Sequence, residues 1–589
     1  MNRLDEVHVL REYALIADGE RGVLVGPGGV MSWLCFPSWD SPAVFAGLVG
    51  GGGGYELVPS GRSVWGGFYE SVGLVWRNRW TTDTGRVESR EALALPGRPG
   101  TMTLLRQVTA LNAPARVRVR LALRTEFGRS GARDLTRDEQ GRWRGRLGDG
   151  SFCWAGAPDA TVVHDGRHAD LELELDLAAG QAHDLVLTLD TSSGAETPQA
   201  APTWSAVEAG WSRRLPAPAS LGTASRDVRH AHAVLHGLTS RSGAMVAAAT
   251  MGLPERARAG RDYEYRYAWI RDQCFVGQAV ADGPDKALLE AATAFVSARL
   301  LEHGPHLAPA YRVDGRPVPG QHRLHLAGYP GGADLVGNWV NQQFQLDAFG
   351  EALLLLAAAE RHDRLDADGW SALRTAVEAI AQRHDEPDAG IWELDPKRWA
   401  QSRLQCAAGL RAVAALPRAG GQASAWAALA DTLLASAAAD CLHPSGRWQR
   451  APDDPRVDAA LLLPAVRGLL PPDDPRTRAT LSAVLDELVQ DGYCYRFAHG
   501  EQPLQRAEGA FLLCGFLVSL SLLDQGDRVG ATSWFERTRA ACGPPGLLTE
   551  EFDVGQRQLR GNLPQAFVHA LLIQTAQRLD AAVPGAATS

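Results

Sequence analysis

The chain has 589 residues, too long for one ordinary core, so two domains are expected. Its charged fraction of 22% and apolar fraction of 45% are those of a globular protein, and a net charge of −9 supplies no basic field for nucleic acid. No apolar run reaches membrane-spanning length, so no membrane partner is expected.

The opening Met1-Asn-Arg-Leu-Asp-Glu-Val-His lacks the apolar stretch of a secretion signal, and a cytoplasmic location is expected. The eight cysteines are scattered and none lies in a C-x-x-C pair. Free buried thiols in a reducing compartment are therefore expected, not zinc or dithiol sites.

The first two hundred residues alternate with period two. Val117, Val119, Leu121 and Leu123 alternate with Arg116, Arg118, Arg120 and Arg124, and Leu171 to Leu177 alternates with Glu172, Glu174 and Asp176. Such segments are half-buried antiparallel strands, and several in succession imply a β-sandwich over residues 1–203. The run Gly50–Gly54 is not followed by a helical pattern, so it reads as a loop, not a phosphate cradle. Ser192 to Pro202, rich in Ser, Gly, Pro and Thr, reads as an exit linker.

Beyond about residue 205 the period becomes helical. Leu373, Ala376, Val377 and Ile380 recur at i, i+3, i+4 and i+7, as do Leu481, Val484, Leu485 and Leu488. Linker helices over 204–235 and a closed ring of helix hairpins over 236–589 are expected. Runs at Glu351–Glu360, Leu404–Leu416, Ala425–Ala439, Phe511–Leu523 and Gln565–Leu579 supply further helices. No strict repeat is visible, which argues against a solenoid.

Arg261 to Asp272, Arg-Asp-Tyr-Glu-Tyr-Arg-Tyr-Ala-Trp-Ile-Arg-Asp, concentrates chemistry. Tyr265, Tyr267 and Trp269 carry flat rings with polar tips that stack on sugar faces, and Arg271 with Asp272 can grip vicinal hydroxyls. The competing reading is a buried aromatic cluster with one structural ion pair. Three more clusters fall between helices: Gly390-Ile-Trp-Glu-Leu with Trp392 and Glu393, Cys494-Tyr-Arg-Phe with Arg496, and Leu548-Thr-Glu-Glu-Phe-Asp with Glu550 and Glu551. A carboxyl beside an indole in a dry pocket stays protonated and serves as an acid, and one in a wetter place stays ionised and serves as a base. On that basis Glu393 is expected dry and Glu550 wet. Two carboxyls in opposed environments suit cleavage of a glycosidic bond.

These blocks resemble glycoside hydrolase family 15, the glucoamylase-like inverting glycosidases, in the bacterial two-domain form. The resemblance covers nearly the whole chain. It rests on Tyr13-Ala-Leu-Ile-Ala-Asp, Ser32-Trp-Leu-Cys-Phe-Pro-Ser-Trp-Asp-Ser-Pro, Gly252-Leu-Pro-Glu followed by Tyr265-Arg-Tyr-Ala-Trp-Ile-Arg-Asp, Gln343-Phe-Gln-Leu-Asp-Ala-Phe-Gly-Glu, Glu508-Gly-Ala-Phe-Leu-Leu-Cys and Gly561-Asn-Leu-Pro-Gln-Ala-Phe-Val-His. It implies a β-sandwich followed by an (α/α)6 barrel, with Glu393 as general acid and Glu550 as general base. It also implies that Tyr265, Tyr267, Trp269, Arg271, Asp272, Trp392, Arg496 and Glu551 form the sugar subsite.

Four segments depart from the family pattern, among them Gly561-Asn-Leu-Pro in place of G-N-F-P and Tyr495-Arg-Phe in place of x-R-Y. Gly328-Tyr-Pro-Gly-Gly-Ala-Asp-Leu-Val-Gly-Asn carries Val336 near the place of an arginine, and Leu394-Asp-Pro-Lys-Arg-Trp-Ala-Gln-Ser-Arg replaces the usual V-R-G block. The resemblance implies an exo-acting α-glucosidase on a small oligosaccharide or disaccharide, glucoamylase-like first and trehalase second. Phosphorylase and inactive sugar-binding protein are the alternatives from other classes. A carboxylate pair calls for no cofactor and no metal. The Trp33–Pro42 segment is expected to reach the barrel and close one side of the pocket.

Overall fold

In the computed structural model, described for residue 4 and residues 6–166, 168–216, 221–256, 260–500 and 502–582, the period-two segments form two antiparallel sheets. Met1–Arg3 and Asp5 of the opening segment, and 217–220 of the expected linker, lie outside the described residues. One sheet orders its strands Ala14–Ala17, Gly22–Val25, Met31–Cys35, Gly54–Pro59, Ala115–Ala122, His168–Leu177, Thr161–Asp165, with Ala43–Phe45 paired to the third. The other runs Arg133–Arg137, Trp143–Leu147, Gly150–Ala155, Ala182–Asp190, Thr101–Ala110, Arg86–Leu93, Trp76–Thr82, Ser63–Tyr69.

The alternation sets the register. Val117, Val119 and Leu121 lie opposite Leu175, Leu173 and Leu171, and Arg116, Arg118 and Arg120 lie opposite Asp176, Glu174 and Glu172. A slip by one residue would turn the leucines to solvent and bury the arginines, so one register is strongly favoured. Between the sheets, Leu57, Trp76, Trp80, Leu104, Val119, Trp154 and Leu187 share one core.

The helices follow: α1 (Ala200–Arg214), α2 (Ser225–Leu238), α3 (Ile270–Val280), α4 (Lys286–His303), α5 (Asp347–Arg361), α6 (Ala367–Arg383), α7 (Ala400–Ala414), α8 (Ala423–Asp440), α9 (Leu463–Val466), α10 (Pro475–Glu487), α11 (Leu504–Ala507), α12 (Leu512–Asp524), α13 (Arg528–Arg539) and α14 (Ala566–Ala581). α1 begins inside the expected linker, with Pro202 in its first turn, where a missing N–H costs nothing. Among the described residues no helix is long and apolar enough to cross a membrane.

Burial sorts the helices into two kinds. Residues 347–359 of α5, 400–410 of α7 and 512–521 of α12 are buried on all sides, whereas α8 buries only Trp426, Ala430, Leu433 and Ala437, a single stripe. A helix buried all round belongs inside a bundle, and a striped one covers it. The inner helices touch in the order α3, α5, α7, α9, α12, α14 and back to α3, and α4, α6, α8 and α13 each pack on an inner partner. Small residues permit the close inner contacts: a Cβ on Gly350 of α5 would stand 2.6 Å from the Gln405 backbone, and one on Gly409 of α7 would stand 2.5 Å from the Gly350 carbonyl.

The two parts share a core. Leu10, Tyr13, Leu15, Trp33 and Leu48 belong to the same apolar cluster as Val234, Leu253, Ile270 and Leu571. Trp33 Nε1 donates to the Ala249 carbonyl at 2.8 Å, and Asp40 pairs with Arg312 at 2.6 Å. The Trp33–Pro42 segment therefore reaches the helical part.

Candidate active site

Residues 263–267 run as an extended segment beside 247–252, with Ala247 N donating to Tyr267 O, Ala248 N to Tyr265 O and Gly252 N to Tyr263 O at 2.9–3.0 Å. Alternation along it separates two sets of side chains. Tyr263, Tyr265 and Trp269 face a cavity of about 130 Å³ that also meets Glu255, Arg261, Arg271, Asp272, Trp392, Glu393, Arg496, Glu550 and Gln565.

Two carboxyls in this cavity each take a hydrogen bond from an aromatic tip. The Tyr265 hydroxyl donates to Glu550 Oε2 at 2.9 Å, and Trp269 Nε1 donates to Glu393 Oε1 at 2.8 Å. Glu393 Oε1 also accepts from Gln345 Nε2 at 3.2 Å and stands 3.5 Å from Arg271 Nη2. Arg271 is in turn held by Gln345 at 2.7 Å and Asp347 at 3.3 Å. Glu393 has φ 56°, a left-handed conformation that costs a non-glycine residue energy and persists only where its surroundings enforce it.

The two environments are the reverse of those expected. Glu550 is the dry group, 6% exposed, and the Glu393 side chain is 26% exposed. Burial, reinforced by the charge of Glu255, pushes Glu550 well above the usual carboxylate range, against the pull of Arg496 and the Tyr265 hydrogen bond. Burial also lifts Asp272 to about 7, only partly offset by Arg271. The expectation failed because neighbours in sequence diverge at this turn: Trp392 Nε1 donates to Asp458 at 2.8 Å and its ring packs edge-on against Phe511. The indole that touches Glu393 is Trp269.

Arg496 is the positive centre of the far wall. It bonds Glu508 at 2.5 Å and 3.2 Å and stands 3.7 Å from Glu255 and 3.8 Å from Glu551. Glu255 is buried, and burial raises it to about 7 although Arg496 opposes this.

Two expected subsite residues do not line the cavity. Tyr267 is buried with Ala247, Ala310, Val318 and Val340 in a small apolar core behind Trp269. Glu551 is fully buried and accepts from Gly509 N at 2.8 Å, because Glu550 and Glu551, as consecutive residues entering a strand, point opposite ways. The Trp33–Pro42 segment does not line it either. Gly328–Asn338 is likewise absent from the wall, and Val336 pairs with His322 in a two-stranded ribbon. A second departing segment does matter: Leu394, Asp395, Pro396, Lys397 and Trp399 border a wider recess of about 890 Å³, which meets the inner cavity at Trp339, Glu393 and Leu394.

Sequence reasoning missed Glu255, Gln345, Trp339 and Gln565. Glu255, Gln345 and Gln565 lie inside the blocks Gly252-Leu-Pro-Glu, Gln343-Phe-Gln-Leu-Asp and Gly561-Asn-Leu-Pro-Gln, and their place in those blocks was the available signal. Among the described residues no group of three or more His, Cys, Asp or Glu side chains is placed to hold a metal ion.

Against known proteins, the family described as "Glycosyl hydrolases family 15" matches residues 229–577, and "Trehalase-like, N-terminal" matches residues 5–206. A trehalase of Mycobacterium tuberculosis is 29% identical, over 96% of this chain and 88% of its own, and one of Mycolicibacterium smegmatis is 29% identical over 96% and 90%. A trehalase of Thermoplasma acidophilum is 26% identical over 58% of this chain and 60% of its own. Among solved structures, a bacterial glucoamylase complexed with acarbose superposes with a TM-score of 0.71 at 14% identity, covering 97% of this chain and 94% of that one, a likeness of fold.

Proposed function

The chain belongs to glycosyl hydrolase family 15 and is a glycosidase; from that premise we propose that it is an exo-acting, inverting α-glucosidase whose first substrate is α,α-trehalose. Sequence alone ranked glucoamylase-like or oligo-α-glucosidase activity ahead of trehalase. The trehalases matched over both parts of the chain, and the trehalase-like N-terminal match, support the opposite order.

One observation carries the mechanism: two carboxyls in one cavity, each oriented by an aromatic donor four residues from the other. In this reading Glu393 is the general acid. It borders both the closed cavity and the wider recess, where the bond between the two sugars would lie. Trp269, Gln345 and Arg271 all approach Oε1, which leaves Oε2 to carry the proton to the leaving oxygen.

Glu550 is the general base. Its dry site makes it a strong proton acceptor once ionised, and Tyr265 with Arg496 favours that ionised form. It takes a proton from a water that attacks the anomeric carbon from the face opposite the departing oxygen. Asp272, Arg271 and Arg496 hold the hydroxyls of the ring in the closed cavity, with Trp392 at its wall.

The same reading takes residues 236–589 as an (α/α)6 barrel behind a sandwich over 1–203, with α1 and α2 as connectors. The return of the inner helix contacts from α14 to α3 supports it. A cytoplasmic location is supported by the unpaired cysteines, all buried except half-buried Cys542.

The test is a hydrolysis panel of trehalose, maltose, isomaltose, nigerose and longer malto-oligosaccharides, with and without phosphate. Free glucose from trehalose at the highest kcat/KM is expected. A clear preference for malto-oligosaccharides would restore the glucoamylase-like reading, and glucose 1-phosphate as product would sink hydrolysis.

A further inference from the structure

The back of the 263–269 segment carries a buried cation that the chemistry described so far does not use. Arg266 and Glu264 are both completely buried, and they pair through two contacts, Nε to Oε1 at 2.8 Å and Nη2 to Oε2 at 2.6 Å. A bidentate pair would suffice to neutralise the charge. Yet the third guanidinium nitrogen, Nη1, leaves the helical part altogether. It donates to the Ser41 carbonyl at 2.6 Å and the Trp39 carbonyl at 3.2 Å, and stands 3.1 Å from Cys35 Sγ. The guanidinium also lies 5.7 Å from the ring centres of both Trp33 and Phe127. Every one of these five partners belongs to the N-terminal part.

Arg266 is flanked by Tyr265, and alternation sends their side chains to opposite sides of one extended backbone. The clamp on Arg266 therefore fixes the position from which the Tyr265 hydroxyl reaches Glu550. We propose that Arg266 is a positioning residue through which the N-terminal β-domain sets the Tyr265–Glu550 hydrogen bond, so that this domain completes the active site from behind without lining it. The inference rests on the reading of Glu550 as base. The charge of Arg266 is retained for its fork geometry, since a buried ion pair by itself is weak evidence for stability.

The test is a double-mutant cycle in the full chain. Arg266→Lys keeps the charge beside Glu264 but loses the fork that reaches Ser41 and Trp39. It is expected to lower kcat by up to roughly tenfold, no more than loss of the Tyr265 hydroxyl itself, with KM on trehalose changed by less than about threefold. The acidic limb of the kcat/KM profile should move to higher pH, because a misplaced Tyr265 no longer favours ionised Glu550. In the Tyr265→Phe background the same substitution should cost nothing further, because the bond it positions is already gone. Phe127→Leu, which removes one ring from the guanidinium, should act in the same direction more weakly and serves if Arg266→Lys does not fold. Asp40→Asn breaks the neighbouring Asp40–Arg312 pair of the same interface. It should lower the unfolding temperature but leave kcat and the pH profile alone.

Additive effects of Arg266→Lys and Tyr265→Phe would overturn the proposal. So would a destabilised Arg266→Lys or Phe127→Leu with wild-type kcat and pH profile. Wild-type rates for Glu550→Gln would instead sink the base assignment, whereas an inactive Glu550→Gln beside a fully active Tyr265→Phe would sink only this inference.

Discussion

Tyr265 and Trp269 stand four residues apart with their rings edge-on at 5.5 Å, and each donates its polar hydrogen to a different carboxyl, Glu550 and Glu393. One short segment thus orients two groups that are 157 residues apart in sequence (550 − 393). Trp269 is buried and Tyr265 partly so, and desolvation, with Glu550 beside it, keeps the Tyr265 phenol protonated and hence a donor.

Removing that donor should be visible in the pH profile. Tyr265→Phe keeps the ring and deletes the hydrogen bond that favours ionised Glu550, so the pKa of Glu550 rises further and the acidic limb of kcat/KM moves up. Loss of one such bond costs about 1–2 kcal/mol, or roughly tenfold in rate. Rates measured against pH on trehalose check it; an unmoved limb would show that the Tyr265 hydrogen bond does not tune the ionisation on which the rate depends.

The two carboxyls should differ in their dependence on the leaving group. Glu393→Gln should lose most on trehalose and least on an aryl α-glucoside, whose phenolate departs without a proton. Glu550→Gln should lose activity on both, because water must be activated in either case. General acid or base assistance is worth roughly 10²–10⁴-fold, which sets the expected scale. Equal sensitivity of the two variants to the leaving group would reject the assignment of roles.

How much of this was legible from the sequence follows from the range of the interactions involved. The register of Ala115–Ala122 against His168–Leu177 is local periodicity, and so are the stripes of α6 and α10; these could be read directly. The cavity itself was legible as residue types, since Glu393, Glu550, Arg271, Asp272 and Arg496 do converge. Direction was not. The left-handed turn at Glu393 sends Trp392 to Asp458 and brings Trp269, from a distant segment, to the carboxyl. The electrostatics of Glu550 were not legible either, because its burial and the charges of Glu255 and Arg496 beside it come only with the fold.

The buried charge network around Arg496 should make stability acid-sensitive. Burial alone would raise Glu508, but Arg496 and His499 outweigh it and hold Glu508 down at about 2. A depressed carboxyl contributes stability at pH above its ordinary value, and that contribution is lost as pH falls toward about 2. Glu508→Gln leaves Arg496 without its closest partner, which costs about 3–5 kcal/mol for a broken buried pair. Calorimetry should find a lower unfolding temperature for the variant at pH 7, with the gap to wild type narrowing between pH 5 and pH 2. A gap independent of pH would show that Glu508 is neutral in the native protein.

The two parts of the chain should not survive separation. Removing residues 1–199 strips the cover from Val234, Leu253 and Ile270, which share a core with Leu15, Trp33 and Leu48. It also leaves Arg266 without Ser41, Trp39 and Cys35. Exposed apolar surface of this extent leads to aggregation, and an unpaired buried donor weakens the segment that carries Tyr265. Expression of the truncated chain should give insoluble or inactive protein. A soluble truncation with full activity would overturn the prediction.

The stereochemistry of the products distinguishes the mechanism most sharply. If a water held by Glu550 attacks while Glu393 protonates the departing oxygen, the attacked carbon inverts. An inverting pair stands about 6.5–9.5 Å apart to admit that water, against about 5–5.5 Å when the second carboxylate attacks the sugar itself. In α,α-trehalose both anomeric carbons are α, and only one of them is attacked. The attacked ring must leave as β-glucose, whereas the other ring keeps its own carbon–oxygen bond and leaves as α-glucose. Proton NMR in the first minutes, before mutarotation, should therefore find the two anomers in equal amounts. With maltose, the glucose from the non-reducing ring should appear as the β anomer. A double displacement through a covalent intermediate would give α-glucose alone from trehalose, and that result would reject Glu550 as a base acting through water.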